Sequence, residues 1–229
     1  NATNYINGIF NQVSTLYAND GISITLKTLY IWTTPDPYTS TSSYNILTQW
    51  GNYRTTFTGD LAHLIGYSNY GGLAAQVNAL CSVIPKYKMA YSGIDATYTN
   101  VPLYSWTIKV IAHGEGHLLG SKHTHDCVWN GNNTKIDACG DVAGYPSGNC
   151  PLTSPAIPYD GGTIMSYCHL NGSINFSKGF GPQPAALMLN NINNAPCLVA
   201  CGSCPPPPQP LSIIGNPSVC KASVNTYHV

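Results

Sequence analysis

The sequence predicts an α/β (α+β) fold, because helical patterns alternate along the chain with short stretches rich in β-branched and aromatic residues. Apolar residues recur at helical spacing over residues 4–18. Residues 22–32 then alternate apolar and polar side chains at their start, as a strand does. Residues 104–119 return to the helical pattern and carry two histidines four residues apart. We therefore expect a sheet that packs under this last helix.

The remaining elements are delimited by turn residues and by changes of pattern. Ser105 is suited to begin the helix over 104–119, because a serine side chain can accept a hydrogen bond from the free N–H groups of a first turn. Gly, Asn and Pro are frequent in residues 124–163, which we expect to form a long loop stapled by cysteines. The further predicted elements are a helix over 44–57, strands over 60–66 and 86–94, and a last helix over 183–192.

The length of 229 residues accommodates one domain of about 200 residues and an appendage. We place the domain in residues 1–203 and a linker in residues 204–210, where four consecutive prolines favour a stiff spacer. Residues 211–229 then resemble the start of a truncated β module of immunoglobulin or PKD type. The sequence has no initiator Met and no signal peptide, so Asn1 is expected to begin a mature or trimmed fragment.

The composition argues against several classes of partner. Charged residues make up only 8% of the chain and the formal net charge is zero, so neither nucleic acid nor a membrane surface is favoured. No apolar run approaches the ~20 residues of a membrane-spanning helix. Nine cysteines favour disulfides and an extracellular location, the alternative being free thiols or a second metal site at Cys201 and Cys204. Nine is odd, and Cys220 in the truncated module is the expected unpaired cysteine.

The main functional signal is the spacing of three histidines, His113, His117 and His123. Residues four apart lie on one face of a helix, so the first two imidazoles can share one Zn²⁺. Gly120 can adopt the left-handed conformation that ends a helix, which lets the chain return with the third imidazole. Three protein ligands and one open position are typical of a catalytic zinc.

The residue after the first histidine departs from the metalloprotease pattern H-E-x-x-H, in which a glutamate acts as general base. Gly114 occupies that position, and Glu115 follows one residue later. At 100° per residue, Glu115 lies roughly 180° from the zinc-facing direction and should point toward the sheet. Glu115 is therefore a displaced candidate for the base, which could reach the metal only if the helix were locally distorted.

The chain resembles the metzincin zinc endopeptidases, within them the reprolysin (adamalysin) branch of secreted bacterial type. The H-x-x-x-H-x-x-G-x-x-H spacing is followed some forty residues later by Ile164-Met165-Ser166, and the resemblance covers about residues 3–198. Residues 60–65 look like the family's substrate-binding edge strand and residues 72–75 like the segment after it. The resemblance implies a mixed, mostly parallel five-stranded sheet, an active-site helix and a Met-turn.

The resemblance also implies roles for individual residues. Met165 would form the apolar floor under the histidines, and Tyr167 matches the position of a tyrosine that some metzincins place near the metal. In the family, zinc polarises the scissile carbonyl and activates a water, while the glutamate base transfers the proton. The family further implies a protein or peptide substrate, an inhibitory N-terminal pro-segment in the precursor and a monomer.

A cysteine pairing and two alternative metal contacts follow as well. Cys81 and Cys197 match two cysteines that pair in reprolysins. Cys127, Cys139, Cys150 and Cys168 can form two more bridges in three ways, and Cys201 with Cys204 could close a small ring. His125 competes with His123 as the third ligand. Asp137 and Asp141 are candidates for a Ca²⁺ site, although two carboxylates are few for six to eight ligand oxygens.

The sequence thus predicts a secreted zinc-dependent endopeptidase that hydrolyses peptide bonds through a metal-activated water. Because Gly114 replaces the general-base glutamate, we expect this sequence to be impaired in hydrolysis. The alternative is a zinc-binding adhesive or binding protein on an inactive protease fold.

Overall fold

The computed structural model describes residues 2–151 and 157–198. The helices expected over 4–18, 104–119 and 183–192 and the strand expected over 60–66 are confirmed. The helix expected over 44–57 ends at Tyr53, and the strand expected over 86–94 begins only at Met89, after a 3₁₀ turn. In this part of the chain the helices are α1 (Ala2–Asn19), α2 (Ser43–Tyr53), α3 (Trp106–Leu118), the single turn α4 (Cys139–Val142) and α5 (Pro182–Asn193). The strands are β1 (Ala62–Tyr67), β2 (Gly72–Ala74) and β3 (Met89–Ile94), and short 3₁₀ turns lie at Pro85–Lys88, Cys168–Leu170 and Phe176–Lys178.

The sheet is mixed, with the strand order β1-β3-β2. β1 runs parallel to β3, with Ala62 opposite Met89, and β2 runs antiparallel to β3, with Gly72 opposite Ser92. The mixed class is confirmed, but the described residues contain three strands where five were expected. Residues 60–65, expected to be the substrate-binding edge strand, lie largely in β1, which together with β2 forms the two edges of the described sheet.

The strand predicted over residues 22–32 is wrong, because these residues join no described sheet. Only the first residue, Ile22, is fully enclosed, and Leu26 is 40% exposed. Alternation of apolar and polar side chains reports two unequal faces, whereas a strand also needs a backbone partner. At the start of the segment, the apolar side chain of Ile22 is therefore buried in the core, but the backbone does not pair with a strand of the described sheet.

Helix α3 is central to the molecule, since it packs between the sheet and α1. Its residues Ile108 and Leu118 are fully buried, and Tyr17 of α1 donates a hydrogen bond from its hydroxyl to the carbonyl of Ala112 at 2.8 Å. A helix covered on more than one side is expected to be apolar over most of its circumference. The polar residues on α3 therefore stand out as functional candidates.

Three disulfides tie the long connections to this core. The predicted bridge Cys81–Cys197 is confirmed, and the open connectivity of the other four resolves as Cys127–Cys150 and Cys139–Cys168. The remaining cysteines, the proline-rich linker and the truncated module lie outside the described residues. Among the described helices, none combines the length and the apolar character that crossing a membrane requires.

Candidate metal centre

The end of α3 directs the chain back toward the helix. The N–H of Gly120 donates to the carbonyl of His117 at 2.8 Å, and the N–H of Ser121 donates to that of Gly116 at 2.9 Å. This pair of bonds is the Schellman motif, in which the residue after the helix takes a positive φ. Gly120 has φ +106°, and a Cβ there would overlap the Asn191 side chain. Glycine is therefore required at this turn, as the sequence predicts.

The turn brings His113, His117 and His123, hereafter the histidine triad, into one cluster. Their three Nε2 atoms lie 3.0, 3.1 and 3.2 Å from one another, and the triad forms a group that could hold a metal ion. Zinc–nitrogen distances of about 2.0–2.1 Å in a tetrahedral site separate two ligand nitrogens by about 3.3–3.4 Å. The observed triangle is within a few tenths of an ångström of that spacing, so the donor set fits zinc.

Backbone carbonyls hold two of these imidazoles in the state that a metal needs. Nδ1 of His113 lies 2.8 Å from the carbonyl of Ile164, and Nδ1 of His117 lies 2.8 Å from that of Ser121. A carbonyl oxygen can only accept, so each Nδ1 carries the proton and each Nε2 keeps a lone pair. Burial lowers the pKa of all three triad histidines, which keeps them neutral.

His123 is fixed by contacts that the sequence pattern does not reveal. Its N–H donates to the carboxylate of Asp126 at 2.9 Å, and the indole N–H of Trp129 donates to its carbonyl at 2.7 Å. His125 stacks on His123 with ring centroids 4.9 Å apart and, with Asp126, forms an alternative metal group that shares His123. The triad brings together three Nε2 atoms from the helix and the turn after it, whereas the alternative group draws on neighbouring residues of one loop.

The turn of residues 163–168, hereafter the Met-turn, lies against α3. Met165 is fully buried, and a Cβ at Gly116 would approach its sulfur to 2.7 Å. Glycine at this helical position therefore allows the turn to reach the helix, and the carbonyl of Ile164 to reach His113. The bridge Cys139–Cys168 holds the other end of the Met-turn.

Tyr167 contacts two members of the triad. Its ring centroid lies 4.6 Å from that of His123 and 6.0 Å from that of His113. Burial, with smaller contributions from Asp126 and Tyr145, raises the pKa of the Tyr167 hydroxyl. Tyr167 therefore keeps its proton at neutral pH and can donate a hydrogen bond beside the triad.

Gly114 and Glu115, the expected and the displaced position of the general base, both face the sheet. A Cβ built on Gly114 would meet Cε1 of His63 at 3.4 Å and Cβ of Ala90 at 3.7 Å, which are ordinary contacts. The carboxylate of Glu115 lies 3.4 Å from Nδ1 of His63, at ion-pair distance but without hydrogen-bond geometry. Nε2 of His63 in turn lies 2.8 Å from the hydroxyl of Ser92. α3 is continuous through this region, so no distortion turns Glu115 toward the triad.

The candidate calcium ligands have other partners. A carboxylate oxygen of Asp141 lies 2.6 Å from the ammonium of Lys135, and a carboxylate oxygen of Asp137 accepts the N–H of Cys139 at 3.0 Å. These contacts use oxygens that a Ca²⁺ ion would need. Nothing in the described part of the chain supports the calcium prediction.

Together, an α+β fold, a histidine triad on a helix and the turn after it, and a buried methionine beneath define a zinc-metalloprotease-like protein. A model of Metallo-peptidase family M12, reprolysin type, matches residues 1–177. This chain therefore belongs to the M12 metallopeptidases, whose members depend on zinc. No curated protein matches the chain.

Proposed function

We propose that this chain is a secreted zinc-dependent endopeptidase in which His113, His117 and His123 hold the zinc. The observation that carries the proposal is the triangle of Nε2 atoms, each 3.0–3.2 Å from the next. Membership of the M12 family supports a peptide substrate. Three disulfides support secretion, because disulfides persist in oxidising compartments. The pro-segment and the monomeric state stay predictions.

Zinc held by the triad would supply Lewis-acid chemistry, which serves to polarise a scissile carbonyl and to activate a water. The carbonyls of Ile164 and Ser121 orient the imidazoles, and Met165 closes the apolar floor. The protonated hydroxyl of Tyr167 is suited to donate to the oxygen that gains charge during hydrolysis. These residues provide the binding and electrophilic part of the reaction.

Proton transfer by a general base is expected to be weak in this chain, because Gly114 carries no side chain at the position of the base. We propose that Glu115 does not replace the base, since its carboxylate is engaged with His63 on the sheet side. Loss of a general base typically lowers the rate by 10²–10⁴-fold. The unmodified chain is therefore expected to cleave peptides slowly.

The matched variants Gly114→Glu and Gly114→Gln test this proposal. The side chain can begin at residue 114 without a clash. In a casein or quenched-peptide assay, Gly114→Glu should raise kcat/KM by about 10²–10⁴-fold, and chelator should abolish the gain. Gly114→Gln has nearly the same shape but no base, so it should stay near the unmodified rate.

A second candidate is a zinc-binding protein without hydrolytic power, which the glycine at position 114 favours. Equimolar zinc with no cleavage by Gly114→Glu would support this candidate and overturn the peptidase proposal. Cleavage by the unmodified chain as fast as by Gly114→Glu would show that another group supplies the base.

A further inference from the structure

Lys109 is a buried lysine on the metal-facing side of α3. It precedes His113 by four residues, slightly more than one helical turn, so the two side chains leave the helix in similar directions. Only 2% of the residue is exposed. In the described residues the ammonium has no hydrogen-bond partner. Its Nζ is nevertheless not fully enclosed, so the tip of the side chain reaches solvent. The side chain is therefore almost wholly covered, with only the ammonium end at the surface.

No carboxylate of the protein neutralises Lys109. The described ion pairs involve Lys135, Lys178 and His63, and no hydrogen bond of the Lys109 ammonium is found in the described residues. All nine acidic residues of the sequence lie within the described ranges, because residues 152–156 and 199–229 contain neither Asp nor Glu. Burial alone lowers the pKa of this lysine to about 7. A buried cation without an anion is costly, and an arriving carboxylate would relieve that cost.

Aromatic side chains line the space around the ammonium. Nζ of Lys109 lies 5.6 Å from the ring centroid of Trp106 and 5.7 Å from that of Tyr167. His169 contacts both rings, with centroids 5.4 and 5.7 Å away. The same Tyr167 ring contacts His123 on the triad. Lys109 is thus separated from the metal centre by one aromatic ring.

We propose that Lys109 binds a carboxylate side chain, Asp or Glu, of the peptide substrate next to the bond that is cleaved. This inference rests on the proposed function, since it places the substrate's reacting carbonyl at the triad. The aromatic rings would cover the methylene groups of the acidic side chain, while the ammonium pairs with its carboxylate. A charge-assisted bond of this kind discriminates strongly against the neutral amide.

Two peptide series that differ only in Glu or Gln, placed in turn at each position around the scissile bond, test the proposal. Dissociation constants are measured by titration of the metal-free and the zinc-loaded protein, and cleavage is followed by mass spectrometry. In at least one position the Glu peptide should bind about 10- to 100-fold more tightly than the Gln peptide. Equal binding of the two peptides at every position would overturn the proposal without requiring any variant.

Lys109→Met keeps the length of the side chain and removes the charge, so the preference for Glu should disappear. Lys178→Met removes a partly exposed charge that is paired with Asp160 and serves as the matched control, which should keep the preference. A preference that survives in Lys109→Met would overturn the assignment. Discrimination in binding without any cleavage, even by the zinc-loaded Gly114→Glu variant, would reject the peptidase function but keep the carboxylate site. Cleavage without discrimination between the Glu and Gln peptides would keep the peptidase function but reject the carboxylate site.

Discussion

On the side of α3 that faces the Met-turn, three imidazole nitrogens converge and two of the imidazoles are oriented by carbonyls. On the side that faces the sheet, Gly114 contributes no side chain and Glu115 is paired with His63. One helix therefore contributes two histidines to the candidate metal centre on one side and lacks the expected base on the other. The difference teaches that metal affinity and hydrolytic rate depend on separate residues, which substitutions can change independently.

The largest expected effect is the loss of zinc from His117→Ala. Removing one of three ligands leaves two nitrogens, so stoichiometric zinc measured by elemental analysis should disappear together with any cleavage. His125→Ala is the control, because it belongs only to the alternative group with His123 and Asp126. Zinc that depends on His125 but not on His117 would place the metal in that alternative group.

The second-largest expected effect is on the pH dependence of stability, and it comes from Lys109 on the metal-facing side of α3. Its pKa is about 7 in the folded protein against 10.5 unfolded, so the unfolded chain binds more protons between these values. Stability should therefore rise with pH across that window, and below about pH 7 the full penalty, on the order of 5 kcal/mol at most, is present.

Lys109→Met should consequently be more stable than the unmodified chain at pH 6, and the gap should narrow toward pH 10. Urea denaturation of both proteins across this range measures the difference in the free energy of unfolding. A gap that does not depend on pH would mean that Lys109 is protonated in the folded protein throughout.

On the sheet side, Glu115→Gln should have a small effect on stability and none on zinc content. The side chains of Glu115 and His63 are 15% and 10% exposed and their contact is long, so its loss should cost about 1 kcal/mol or less. Thermal unfolding and cleavage assays check both points. Abolished cleavage with full zinc content would identify Glu115 as the base after all.

The smallest effect separates the two glycines of α3. Gly114→Ala adds a methyl group in ordinary contact with His63 and Ala90, so the higher helix propensity of alanine should stabilise the protein by up to about 1 kcal/mol. Gly116→Ala brings its methyl group against the sulfur of Met165 and should destabilise the protein. Equal effects of the two variants on the melting temperature would contradict this reading of the helix faces.

Much of the site could be predicted because its signals are local. The four-residue spacing of His113 and His117 specifies one helix face, and the glycine three residues later specifies the turn that returns His123. The direction of Glu115, away from the triad and toward the sheet, also follows from the helical repeat alone. The bridge Cys81–Cys197 was available only through the family resemblance.

The remaining features depend on contacts between distant residues. The sequence pattern over residues 22–32 could not show that this segment joins no sheet in the part of the chain that the structure describes. Three pairings of the four loop cysteines were equally open, and only the folded chain brings Cys139 to Cys168 across 29 residues. The hydrogen bond from the His123 N–H to the carboxylate of Asp126 depends on the loop geometry, which the spacing of the two residues does not specify.

By itself, the sequence determined the class of fold, the three histidines and the absence of a carboxylate at position 114, because each is encoded in a short spacing or a single residue, while the Met-turn was expected from the family resemblance. Only the tertiary structure decided that Glu115 meets His63, 52 positions earlier in the chain, and that Lys109 is buried without an anion beside it in the described residues. Burial and ion pairing are properties of surfaces that meet in the fold, so a linear pattern cannot specify them.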